Sequence, residues 1–144
     1  MGPEGQYVTE VKRLLSLLGL EVQGQFPGYL PFSEWANAPA AELAIVLGTT
    51  GQSDRMNGMA DLLEKKFGIH AVKDIYPIGW ENTCKWILEI GRLHKNVEKA
   101  KVIIEEEKKR IDSYVNSILH ITKGKKAVIG IGRGTHWYNP SDKI

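Results

Sequence analysis

Leu43-Ala44-Ile45-Val46-Leu47-Gly48-Thr49-Thr50-Gly51-Gln52-Ser53-Asp54 is the stretch on which the fold turns. Five unbroken apolar residues predict a strand buried on both faces, and the glycine-rich segment after it predicts a tight exit from a sheet. Ser53 or Asp54 can then cap a helix in which Met56, Met59, Ala60, Leu63 and Phe67 recur at helical spacing. Gly68 ends that helix, and residues 69–75 read as a second strand. Strand, loop, capped helix and strand within this length describe a βαβ crossover, expected to be right-handed with parallel strands.

Working outward, Val8, Val11, Leu14, Leu15 and Leu18 form one stripe of a helix over about 7–18. Gly19 followed by apolar Leu20 predicts a Schellman ending. Residues 21–26 alternate weakly, as an edge strand does, and a short helix is expected over 33–38, before Pro39. Downstream, Pro77-Ile78-Gly79 predicts a turn. A helix from Trp80 to about Leu93 then carries Thr83, Trp86, Ile87, Ile90 and Leu93 on one side, with Gly91 weakening its last turn. A long helix to about Ile121 has Val97, Ile104, Ile111 and Ile118 at intervals of seven, and Ala100, Tyr114, Val115 and Leu119 between them. Its run Glu105-Glu106-Glu107-Lys108-Lys109-Arg110 reads as solvated surface, with Glu105–Lys109 and Glu106–Arg110 as pairs four apart. Ala127-Val128-Ile129-Gly130-Ile131 repeats the buried-strand pattern. A parallel strand wants a returning helix, so residues 132–144 are expected to begin a further unit, or the last strand to dock on a partner. The fold class is therefore α/β, one domain over 1–144, expected to be part of a larger protein.

Composition narrows the function. Of 144 residues, 42% are hydrophobic, which suffices for one core. Nineteen Lys and Arg against seventeen Asp and Glu give a formal +2, too even for a nucleic-acid face. The single cysteine, Cys84, excludes an internal disulfide framework and any iron–sulfur or zinc site built from several thiolates of this chain. No membrane span or signal-like start is visible, so the expected location is the cytoplasm.

Three places could carry chemistry. The loop Gly48, Thr49, Thr50, Gly51 with Ser53 lies between strand end and helix start, where ligands bind in α/β sheets, although it also reads as a plain glycine turn with an N-cap. His70, His94, His120 and His136 show no metal-ligand spacing. His136, in His136-Trp137-Tyr138, could line a pocket or a subunit contact. Cys84 near a helix start is either a thiol with lowered pKa or an inert packed one.

The order of several phrases resembles nitrogenase component 1 proteins and their relatives, including light-independent protochlorophyllide reductase. These phrases are Glu10-Val11-Lys12-Arg13-Leu14-Leu15 through Gly19-Leu20-Glu21-Val22, then Ala40-Ala41-Glu42-Leu43 into the strand, then Leu63-Glu64-Lys65-Lys66-Phe67-Gly68-Ile69. Pro77-Ile78-Gly79 with Thr83, Trp86 and Ile87 follows, and Gly124-Lys125-Lys126-Ala127-Val128-Ile129-Gly130 closes the series. The resemblance implies a Rossmann-like parallel sheet with flanking helices, one domain of a larger oxidoreductase subunit. It implies partners: the rest of that subunit or a paired subunit, and an ATP-dependent iron–sulfur reductase that donates electrons. It also implies an iron–sulfur or other metallocluster in the full assembly, with none bound by this chain alone. The family's cofactor cysteine follows the strand equivalent to 43–47, where this sequence has Gly48 and Thr49, and the interface-cluster ligands belong to an earlier region absent here. The expected pocket lining is therefore Gly48, Thr49, Thr50, Gly51, Ser53, Gly79, Thr83 and His136, without cluster ligands. The competing expectation is a non-catalytic module that keeps the fold for small-molecule binding or assembly.

Overall fold

The computed structural model describes residues 6–25, 33, 36–47 and 53–126. Its elements run α1 (Gln6–Leu18), a 3-10 turn (Ala38–Ala40), β1 (Leu43–Ile45), α2 (Ser53–Phe67), β2 (His70–Val72), α3 (Gly79–Leu93) and α4 (Val97–Thr122). β1 and β2 pair in parallel, Leu43 opposite His70 and Ile45 opposite Val72, with α2 as the crossover between them. The described chain is thus largely helical around a small two-stranded parallel sheet. Both strands are shorter than the expected 43–47 and 69–75, although Val46 N–H still donates to the Val72 carbonyl at 2.9 Å.

Side-chain alternation explains how this sheet is covered. Leu43, Ile45 and Leu47 share one face and pack against a cluster formed by Val11, Leu14, Leu15 and Leu18 of α1, Trp86, Ile87 and Ile90 of α3, and Ala100 and Ile103 of α4. Val46 points the other way and is buried, as are Ala60 of α2 and Ile69, none of them in that cluster. Helices therefore lie on both faces of the ladder. The strand is less enclosed than expected: Leu43, Ala44 and Ile45 are only half-buried, because one neighbouring strand among the described residues screens one edge.

Helix ends follow local chemistry. Gly19 takes φ +94°, with Gly19 N–H bonded to Ser16 O and Leu20 N–H to Leu15 O, both at 2.9 Å, which is the Schellman pair expected there. Pro39 sits inside the 3-10 turn, at a first-turn position where its missing N–H costs nothing, rather than after a helix end. The α3 ending is another Schellman pair, Lys95 N–H to Arg92 O at 3.2 Å and Asn96 N–H to Gly91 O at 2.7 Å, with Lys95 itself at φ +55°. His94 Nδ1 lies 2.8 Å from Glu42 Oε1 and ties that corner to the approach of β1.

Gly91 is a contact point rather than a weak spot. A Cβ there would lie 2.6 Å from Ala100 Cβ and 3.3 Å from Asn96 O, so α3 and α4 approach through a glycine–alanine pair. The charged run of α4 also departs from expectation. Glu107 is 7% exposed and receives Arg13 Nη1 at 2.9 Å and Arg110 Nη2 at 2.6 Å, while Arg13 Nε and Nη2 grip Glu10 at 2.8 Å and Arg110 Nη2 reaches Glu10 at 3.1 Å. Arg110 thus pairs with Glu107, and the four charges join α1 to α4. The Arg13 hydrogen bonds hold the Glu10 carboxyl below its ordinary value, against burial. At Glu107 burial opposes ionisation, yet hydrogen bonds from Arg13 and Arg110 leave the carboxyl lowered.

Two measurements follow. Gly91→Ala should lower unfolding stability by about 2 kcal/mol, seen in urea titrations followed by far-UV circular dichroism, because the corner cannot admit a methyl. Both carboxyls of the network titrate lower folded than unfolded, so its stabilisation is complete at neutral pH and lost as pH falls below about 4. Glu107→Gln should therefore cost about 2 kcal/mol at neutral pH, with the gap from wild type closing in acid. An equal gap at both pH values would show that charge pairing is not its source.

Candidate functional site at the carboxyl end of β2

Beyond Val72 the chain makes a compact set of turns. Asp74 adopts φ +61°, a conformation that a short polar side chain tolerates, and Asn57 Nδ2 of α2 donates to Asp74 Oδ1 at 3.0 Å. Ile78 N–H bonds to Tyr76 O at 2.8 Å, a γ-turn around Pro77, whose ring presets the backbone. Gly79 then opens α3 at φ +70°, a left-handed angle that only glycine takes freely. These turns and the start of α3 enclose a cleft of about 220 Å³ lined by Asp74, Ile75, Tyr76, Ile78, Asn82 and Lys85.

The cleft is small, open and polar on one side. Asn82 and Lys85, three residues apart, offer an amide and an ammonium from one helical face. Asp74 already accepts from Asn57, whose own Oδ1 is buried with no partner among the described residues. Such an arrangement can hold a small polar or anionic group at the carboxyl end of a parallel strand, where α/β sheets place their ligands.

Of the expected lining residues, Gly48, Thr49, Thr50, Gly51 and His136 lie outside the described residues. Ser53 is the first residue of α2. Gly79 borders the cleft by sequence, between Ile78 and Asn82, while Thr83 Oγ1 donates to Gly79 O at 2.7 Å and is engaged within the helix. Lys85, Asn82 and Asp74 were not singled out by sequence reading. The signal was a polar pair at helical spacing just after a strand and turn, overshadowed by the glycine loop after β1.

Cys84 resolves toward the inert reading. It sits in the second turn of α3, beyond the reach of the helix end, and burial, then the charge of Glu81, push its thiol above the ordinary value. Among the described residues no three His, Cys, Asp or Glu side chains converge as a metal site. The described residues therefore do not fit a metallocluster. No helix among them is long and apolar enough to cross a membrane.

A βαβ unit covered by helices on both faces, with a cleft at a strand's carboxyl end, is a ligand-site arrangement of α/β proteins. The chain belongs to the nitrogenase component 1 type oxidoreductases, whose family model matches residues 2–138. It is 34% identical over 125 residues to the nitrogenase iron-molybdenum cofactor biosynthesis protein NifE of Clostridium pasteurianum, covering 85% of this chain and 26% of that protein. It is 33% identical over 138 residues to a subunit of the light-independent protochlorophyllide reductase of Trichormus variabilis, covering 89% of this chain and 25% of that protein. The corresponding protein of Rippkaea orientalis is 32% identical over 142 residues, again 89% of this chain and 25% of the relative. The chain therefore spans about a quarter of the length of these curated relatives. No solved structure matches it.

The thiol offers a direct check. Cys84 should react with an aromatic disulfide reagent more slowly at about pH 8 than a free-peptide cysteine, and speed up only as pH rises toward its raised pKa. A faster rate than the peptide would mean a thiolate-stabilising surrounding.

Proposed function

We propose that this chain is one Rossmann-like domain, spanning 1–144, of a cytoplasmic component 1 type oxidoreductase that takes electrons from an ATP-dependent iron–sulfur reductase. The observation that supports this reading is the family match along nearly the whole chain, combined with a polar cleft at the carboxyl end of β2. In this reading Lys85 and Asn82 orient a polar group of the substrate or cofactor. The loop of Gly48, Thr49, Thr50, Gly51 and Ser53, the turn at Gly79 with Thr83, and His136 complete the pocket wall. Residues of this chain bind and orient, while any cluster is held by the remaining part of the subunit or by a paired subunit.

A second reading is favoured by the likeness to a relative whose name states a role in cofactor biosynthesis. The same domain would then serve an assembly module that holds a cofactor without turning over a substrate.

The test is anaerobic co-purification of the chain with the rest of its subunit and the iron–sulfur reductase. A cluster absorption band with ATP-dependent oxidation of reductant is the expected result, and Lys85→Ala should lower substrate turnover by about tenfold while the cluster stays bound. A cluster with no turnover selects the assembly reading. A colourless, inert complex overturns both.

A further inference from the structure

The cleft beyond β2 carries one charge of each sign, and neither cancels the other. Asp74 and Lys85 both line it, yet they form no ion pair with each other. Asn57 Nδ2 occupies Asp74 Oδ1 at 3.0 Å, while Oδ2 has no partner among the described residues. Lys73, one residue before Asp74, is taken by Asp61 and Glu64 of α2 and does not neutralise it. Lys85 is passed over on its own helix as well. Glu81 and Glu89 stand four residues to either side, the spacing of helical ion pairs, but Glu89 is held by Arg92 at 2.6 Å and Glu81 makes no ion pair among the described residues. The amide of Asn82, one turn before Lys85, is equally without a partner among them.

These groups sort the ligands that fit. A phosphate or a simple carboxylate gains Lys85 and Asn82 but meets the open oxygen of Asp74, and a simple cation meets the reverse conflict. A group with a cationic donor at one end and an anionic acceptor at the other satisfies both, with Ile75 and Ile78 as apolar wall. At about 220 Å³ the cleft is smaller than ordinary small-molecule pockets, which suits a molecule of amino-acid size. Resting on the reading that this cleft is the ligand site, we propose that the group held here is a zwitterion of amino-acid type, its ammonium on Asp74 and its carboxylate on Lys85 and Asn82.

Size-matched probes test the charge pattern. The isotope-labelled 144-residue chain is titrated with β-alanine, propionate, propylammonium and inorganic phosphate, and the amide signals of residues 74–85 are followed by nuclear magnetic resonance. Asp74 and Lys85 are exposed, so binding is weak: β-alanine should dissociate on the order of 10 mM, each singly charged probe and phosphate about fivefold more weakly, and about 0.5 M salt should erase the difference. Asp74→Asn keeps the left-handed turn and an acceptor for Asn57 while removing the charge, and it should abolish the preference for β-alanine over propionate. Lys85→Met should abolish the preference over propylammonium. Equal binding of all probes, phosphate binding best, no shift of these signals, or variants that leave the preference intact overturns the inference. The reading of the site is scored apart, by turnover of the co-purified assembly. Turnover slowed by Lys85→Ala without any β-alanine preference sinks this inference alone, and a colourless, inert assembly with the preference intact sinks only that reading.

Discussion

The rest of the chain leans on α3. Trp86, Ile87 and Ile90 are fully enclosed, each worth roughly 1.5–3 kcal/mol of burial, and they touch the helix before the sheet, the sheet itself and the helix that follows. The same helix begins at the cleft and ends at the corner where Gly91 lets α4 come close. Its position therefore decides both how its first two turns place Asn82 and Lys85 at the cleft beyond β2 and where α4 leaves the body of the chain. Packing at one end and ligand geometry at the other are two consequences of one buried face.

How much of this was legible in the sequence depended on whether the signal was local. The ends of α1, α3 and α4 follow from periodicity plus a terminating residue, and Gly19 announced its own hydrogen bonds. The parallel pairing of β1 and β2 followed from the length of the crossover. What was misread depended on distant partners. Gly91 reads as a helix defect until Ala100 is placed against it, and Phe67, on the apolar spacing of α2, is 51% exposed. Glu107 reads as solvent-facing because three glutamates and three basic residues in succession look alike from sequence, and only Arg13, 94 residues away, singles it out.

The site divides in the same way. The glycine loop after β1 drew the sequence reading because small residues at a strand end are a local signal, but it lies outside the described residues. The described cleft sits one strand over, at the equivalent end of β2, where Asp74 is held by a side chain from α2. The cleft borders the carboxyl end of a parallel strand, the place that the general rule for α/β ligand sites names, but its individual side chains do not emerge from that rule.

Lys95 makes a last point about the corner between α3 and α4. It occupies a left-handed backbone position with an ordinary side chain, a conformation that costs an L-residue on the order of 1 kcal/mol, and the two helix-ending hydrogen bonds hold it there. The corner is thus a reserve of untapped thermostability lying away from the cleft. An engineer wishing to harden the scaffold could draw on it without disturbing ligand geometry.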